Sequence, residues 1–372
     1  MITLGFPRMH KEENEKRDFL PDFFQRLKVE KGEFYLEKGY GSKMGISEEE
    51  YLKANENIKF VSKEECYKQK IVVVLRSPEF DEIDIMEDGS TLVSMLHYPT
   101  RPTRVERLKS KNIFGVSMDS LRNDFSERIV VNYNGTSGNG IEMAFEELSK
   151  SMKDFYSKDR EVINVTIMGM GMVGLYAARA AGKYGNKDLN NKMAGFGTKG
   201  IKVTMLPRTI TGDKEEIIKE LKKADILVDA TTRDDASKFI IENELIAHLK
   251  PHAIILDLTA DPYLVDTNPI GVKAIEGIPT GTLDKPVIYP EDEIYNTIPK
   301  EVKTHNRRTV VGCNAWPGIK PEECMYLYGM QLFPIVQQLI RLDRNDFSLE
   351  NDDFFNRAIY RATIEYFEKH EK

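Results

Sequence analysis

Six residues, Gly169-Met170-Gly171-Met172-Val173-Gly174, constrain the fold of this chain more than any other segment. They follow an apolar run, Val162-Ile-Asn-Val-Thr-Ile-Met168, and precede a helix-forming run, Leu175-Tyr-Ala-Ala-Arg-Ala-Ala-Gly182. A G-x-G-x-x-G spacing alone is weak. With β-branched residues before it and helix formers after it, it reads as the turn that binds a dinucleotide. Gly169 permits the tight turn, Gly171 lets backbone approach a pyrophosphate, and Gly174 lets helix pack on strand. Met172 and Val173 open the helix, where unpaired N–H groups and a favourable dipole face the phosphates. The competing reading is an ordinary strand–helix turn.

The rest of the chain repeats the strand–helix rhythm. Strands are expected at Ile2–Phe6, Glu33–Leu36, Ile71–Leu75, Thr91–Leu96 and Ile113–Met118. Helices are expected at Pro21–Val29 and Thr103–Lys109, and Ser47-Glu-Glu-Glu50 and Ser62-Lys-Glu-Glu65 read as capping boxes. Short strands alternating with helices predict an α/β fold with parallel sheets. Asn134-Gly-Thr-Ser-Gly-Asn-Gly140 reads as a hinge or boundary, followed by a long helix over Ile141–Tyr156. Further strands are predicted at Val203–Leu206, Ile226–Ala230 and Ile254–Asp257, with helices at Glu215–Lys223 and Glu244–His248. Thr231, at the end of Asp225-Ile-Leu-Val-Asp-Ala-Thr, is taken as a cofactor contact. Residues 186–199 exceed a normal connection and read as a mobile surface loop, or as a segment reaching the adenosine or a neighbouring subunit. Beyond Pro317 the chain reads as helical, with Phe355, Ile359, Ala362 and Tyr366 on one apolar stripe. The expected architecture is two Rossmann-like domains separated by a cleft. Residues 1–135 plus 318–372 would form a discontinuous substrate domain, and 136–317 a dinucleotide-binding domain.

Bulk properties narrow the class. The chain has 372 residues, 41% of them apolar, enough for two cores. A net charge of −7 argues against a nucleic-acid partner. Cys66, Cys313 and Cys324 lack metal-ligand spacing and read as reduced packing residues. No metal is expected. No run approaches a membrane span and no leader pattern is evident, so a cytoplasmic location is expected.

Several segments together resemble the alanine dehydrogenase and transhydrogenase superfamily, which includes lysine-forming saccharopine dehydrogenase and carboxyethylornithine synthase. They are Leu4-Gly-Phe-Pro7, Asn14-Glu-Lys-Arg17 with Leu20-Pro21, Glu37-Lys-Gly-Tyr-Gly41, Leu96-His97, Leu256-Asp-Leu-Thr-Ala-Asp261 and Trp316-Pro-Gly-Ile-Lys-Pro321. The resemblance implies that Arg17 grips a substrate carboxylate, that His97 is the general acid/base, and that Asp261 neighbours the nicotinamide and the substrate nitrogen. Arg76 falls where the family commonly has a lysine. This is a departure, since a guanidinium binds anions but does not give up its proton.

The second strand of the nucleotide domain lacks the acidic residue that NAD-preferring sites place at its end, and Arg208 stands beside that position. NADP is therefore expected, with NAD as the alternative if the long connection supplies an acid such as Asp188. Arg17, Arg76 and Arg101 offer more positive charge than one carboxylate needs, which leans toward an opine-like substrate. The expected function is an NAD(P)-dependent oxidoreductase acting on the C–N bond of an amino acid or its secondary-amine derivative. Its partners would be an amino acid and a 2-oxo acid, and a homo-oligomer is compatible with this. The rival is a non-catalytic NAD(P)-binding sensor or carrier.

Overall fold

The computed structural model describes residues 2–370 apart from 234, 266, 268 and 269. The chain divides into two compact units. The first comprises Met1–Lys11, Glu15–Asn132 and Pro321–Lys372; the second comprises Glu12–Asn14 and Tyr133–Lys320.

The first unit is built on β1 (Ile2–Phe6), β2 (Gly32–Glu37), β3 (Ile58–Val61), β4 (Ile71–Arg76), β5 (Thr91–Met95) and β6 (Phe114–Ser117). All pairings are parallel, in the order β3-β2-β1-β4-β5-β6. Strand order reverses between β1 and β4, and ligands of such sheets bind at the carboxyl ends beside that point. Five of the six residues of β4 are buried, as its unbroken apolar run demands. Both predicted capping boxes are present, at Ser47/Glu50 and Ser62/Glu65.

Helix Pro21–Leu27 buries Phe23, Phe24 and Leu27, and Phe24 packs edge-to-face on Phe6. The long helix Pro321–Arg341 buries Cys324, Met325, Tyr328, Leu332, Ile335, Val336 and Leu339 on one face, in the same core. The expected C-terminal stripe is divided between two helices, Phe354–Arg361 and Ile364–His370. The break carries Ile364 and Phe367 into the core while Tyr366 stays half-buried.

The second unit carries β7 (Ile163–Met168), β8 (Ile201–Leu206), β9 (Ile226–Asp229), β10 (Ile254–Asp257), β11 (Val287–Ile288) and β12 (Thr309–Gly312). Their order is β11-β12-β10-β9-β7-β8. Only the two-residue edge strand β11 runs antiparallel. The switch point lies at β7, flanked by β8 and β9.

Two segments are more regular than expected, although the first does lie beside the division between the units, at Asn132 and Tyr133. Residues 134–140 are helical: Asn134–Gly138 forms a π-helical turn that runs into helix Asn139–Ser151. Their small side chains allow close packing on the helix after β7, where Ser137 Oγ donates to Val173 O at 2.9 Å. The 186–199 connection is likewise mostly helix, Lys187–Gly195, capped by Asn186 accepting from the N–H groups of Asp188 and Leu189. Met193 anchors it in the core.

The candidate active site

In the first unit, Arg17, Arg76 and His97 all lie at the carboxyl ends of strands or on the segments that follow them. Arg17 is buried and forms a bidentate pair with Glu15: Nε to Oε1 at 2.8 Å and Nη2 to Oε2 at 2.6 Å. Arg76 ends β4 and brings Nη1 to 3.4 Å from the same Glu15 Oε2. Burial pushes the Glu15 carboxyl up, but the hydrogen bond and charge of Arg17, then the charge of Arg76, bring it below its ordinary range. The structure thus brings both arginines together on one buried carboxylate. Two guanidinium groups and one carboxylate leave a single positive charge, so the count of arginines overstates the field available to a substrate. Arg101 Nη1 donates to Thr100 O at 2.8 Å.

His97 follows β5 in the left-handed conformation, at φ +52°. Its backbone N–H donates to Asp119 Oδ1 at 3.2 Å, and its Nδ1 lies 3.4 Å from Asp119 Oδ2. Asp119 stands just past β6, the neighbouring strand, and accepts from Ser117 Oγ at 2.7 Å. Burial raises the Asp119 carboxyl, but His97, and then Ser117, outweigh it and hold it well below the carboxylate range. Asp119 therefore grips the δ side of the ring. The ring stays half-exposed, and its Nε2 makes no hydrogen bond among the described residues. A histidine fixed at one nitrogen and open at the other can hand a proton to a ligand.

In the second unit the three glycines are not equivalent. Gly169 has φ +102°, and a Cβ there would lie 2.4 Å from Ala230 O. At Gly174 a Cβ would lie 2.4 Å from Gly169 O. Both glycines are required by the chain itself. Gly171 is extended, and a Cβ there would meet nothing within 4 Å. The space in front of it is open, and helix Met172–Ala181 starts behind it with no side-chain cap. Its first N–H groups are free to meet an anion, so the turn fits a pyrophosphate.

Arg208 begins the short helix after β8, and its Nη2 donates to Thr232 O at 3.1 Å, across from β8 to the segment after β9. Thr231 donates from N and Oγ1 to Asp229 Oδ1, at 3.0 and 2.7 Å. Asp261 follows β10 and accepts from Arg233 Nη2 at 2.9 Å. Arg208, Thr231 and Asp261 thus all stand at the carboxyl edge, as do the glycines. Among the described residues, no group of three or more His, Cys, Asp or Glu side chains is placed to hold a metal. No helix among them is long and apolar enough to cross a membrane.

Sequence reasoning missed Glu15, Asp119 and Arg233, each the polar partner of a residue it had singled out. Glu15 lay within the quoted Asn14-Glu-Lys-Arg17 segment. Asp119 could have been found from adjacency, since residues past the ends of neighbouring parallel strands share one edge.

These features describe a doubly wound α/β chain with chemistry-bearing side chains at both carboxyl edges. Residues 7–131 match the model of the alanine dehydrogenase/PNT N-terminal domain, and residues 157–262 that of the alanine dehydrogenase/PNT C-terminal domain. The chain belongs to the alanine dehydrogenase/PNT family. It is 25% identical over 274 residues to an alanine dehydrogenase of Methanococcus maripaludis, covering 70% of this chain and 72% of that protein. It is 24% identical over 311 residues to an N(5)-(carboxyethyl)ornithine synthase of Clostridium botulinum, covering 80% of this chain and 86% of that one. A solved L-alanine dehydrogenase superposes with a TM-score of 0.68 at 17% identity, over 97% of this chain and 94% of that chain.

Proposed function

We propose that the protein is an NAD(P)-dependent oxidoreductase acting on the C–N bond of an amino acid or of its secondary-amine derivative. The observation that carries this reading is His97 held at Nδ1 by the half-buried Asp119, with Nε2 open at the carboxyl edge of the sheet. The related alanine dehydrogenase and carboxyethylornithine synthase support the substrate class of amino acid and 2-oxo acid. A nicotinamide, when bound, would supply hydride exchange with the substrate α-carbon. In the reductive direction, the imine carbon gains that hydride and the nitrogen gains a proton.

His97 Nε2 is the proton donor or acceptor. Arg17 and Arg76, with one positive charge left over after Glu15, hold a substrate carboxylate. Asp261 stabilises the cationic nitrogen. The open space at Gly171 and the uncapped helix behind it support a dinucleotide with its pyrophosphate there. Arg208 stands where a 2′-phosphate would be read, which supports NADP over NAD.

One observation favours the sensor reading: Glu15 already engages Arg17 at both oxygens. Oxidation of NADPH and NADH, followed with a panel of amines and 2-oxo acids, separates the two. Turnover with any pair supports the enzyme; tight binding without turnover across the panel supports the sensor.

A further inference from the structure

Asp229 and Asp257 are the last residues of β9 and β10 and stand opposite each other in the parallel register. Register partners point to the same face of a sheet, so two carboxylates are set side by side. Each is 1% exposed. Two such groups in a dry place need a counter-charge. Lys273, also 1% exposed, supplies one: its Nζ lies 2.8 Å from Asp257 Oδ2.

Each carboxylate also shapes the turn that follows it. Asp229 Oδ1 accepts from Thr231 N and Oγ1. Asp257 Oδ1 accepts from Thr259 N at 3.0 Å, Thr259 Oγ1 at 2.9 Å and Ala260 N at 2.9 Å. Ala260 is left-handed at φ +54°, which an alanine adopts only at a cost. The bonds to Asp257 hold it there and present the next residue, Asp261, to Arg233. A dinucleotide with its pyrophosphate at the end of β7 and its adenosine over β8 would bring its nicotinamide half to the ends of β9 and β10.

We propose that Lys273 is a positioning residue for the nicotinamide half of the cofactor: it gives Asp257 the counter-charge it needs beside Asp229 and so fixes the 229–232 and 257–261 turns, without touching the cofactor. The proposal rests on the dinucleotide reading above. The titration of the pair agrees with it. Burial, then the charge of Asp257, pushes Asp229 up to about 7. Burial would raise Asp257 too, but Lys273 draws it below its ordinary value. Without Lys273 the buried Asp257 carboxylate faces Asp229 with no counter-charge, and the repulsion displaces it from the turn it holds.

The test titrates two ligands into the full chain by calorimetry: NADP, and 2′-phospho-ADP-ribose, which is NADP without its nicotinamide. In Lys273→Met, NADP affinity is expected to fall about tenfold or more, the worth of one misplaced hydrogen bond, with fragment affinity within about twofold of wild type. The double variant Lys273→Met/Asp257→Asn removes both charges and keeps an amide oxygen to accept from Thr259 and Ala260. Its NADP affinity is expected to return to within about threefold of wild type. The inference is overturned if folded Lys273→Met binds NADP normally, or if fragment and NADP weaken together. Should Lys273→Met fail to fold, the double variant decides: recovered NADP affinity supports the inference, and selective loss of NADP overturns it. If the wild type binds neither ligand, the dinucleotide reading itself fails, and this inference with it.

Discussion

His97 and Asp119 divide one task. The carboxylate holds the ring at Nδ1, and in the proposed reaction Nε2 is left for the substrate. His97→Ala is therefore expected to lower turnover by roughly two to four orders of magnitude, while NADP affinity, measured by calorimetry, stays unchanged. Asp119→Asn keeps the shape and loses the charge, so turnover falls by less and the pH–rate profile shifts. Full turnover in His97→Ala, measured at its own pH optimum, would assign the proton to another group, with Asp261 the first candidate.

A second residue gives a pH signature without catalysis. Asp18 is buried and accepts from Gly41 N at 2.8 Å. Burial is the main cause that pushes its carboxyl up to about 7. An unfolded aspartate titrates near about 3.9, so between these values the native state binds the extra proton. This contribution to stability is present at low pH and declines as pH rises toward 7, by up to about 1.4 kcal/mol per pH unit. Asp18→Asn is expected to remove that slope from denaturant midpoints measured at pH 5, 6 and 7. An unchanged slope would place the titration elsewhere.

At the scale of elements, the strand–turn–helix after β7 makes two separable predictions. Gly169→Ala strains a left-handed position and drives a methyl against Ala230 O, so it should destabilise by about 1–3 kcal/mol. Gly171→Val meets open space and should leave the melting temperature nearly unchanged while weakening dinucleotide binding strongly. If Gly171→Val binds NADP as tightly as wild type, that space is not the cofactor's.

The same contrast shows what was legible in the sequence. Buried parallel strands such as β4 and β10 were legible, because both faces are covered and the apolar run is unbroken. The capping boxes were legible because both partners lie within four residues. Residues 134–138 and 187–195 were not, because glycine, asparagine and lysine there look like loop. Their helices are fixed instead by contacts such as Ser137 with Val173 and by the Asn186 cap. Arg17, Arg76 and His97 were singled out through resemblance, but their partners Glu15 and Asp119 needed the folded chain. A carboxylate's partner is set by which strand ends lie side by side, and spacing along the sequence does not report that.

At the scale of the whole molecule, the two units carry different halves of the proposed chemistry: proton and carboxylate handling on the first, dinucleotide binding on the second. Cofactor choice belongs to the second. Arg208→Ala is expected to narrow the preference for NADP over NAD, because an arginine–phosphate contact is charge-assisted. Wild-type protein that prefers NAD would contradict this reading of the end of β8. The central claim is that a hydride passes between the nicotinamide and the α-carbon of an amino acid or its secondary-amine derivative. The most direct test incubates the protein with deuterium-labelled NADPH or NADH, carrying label on either face of C4, together with amine and 2-oxo acid pairs, and reads the products by mass spectrometry. The proposed reaction should leave one deuterium at the α-carbon of the amine product from one of the two faces, and almost none with His97→Ala. Tight dinucleotide binding with no deuterium in any product across the panel would contradict it.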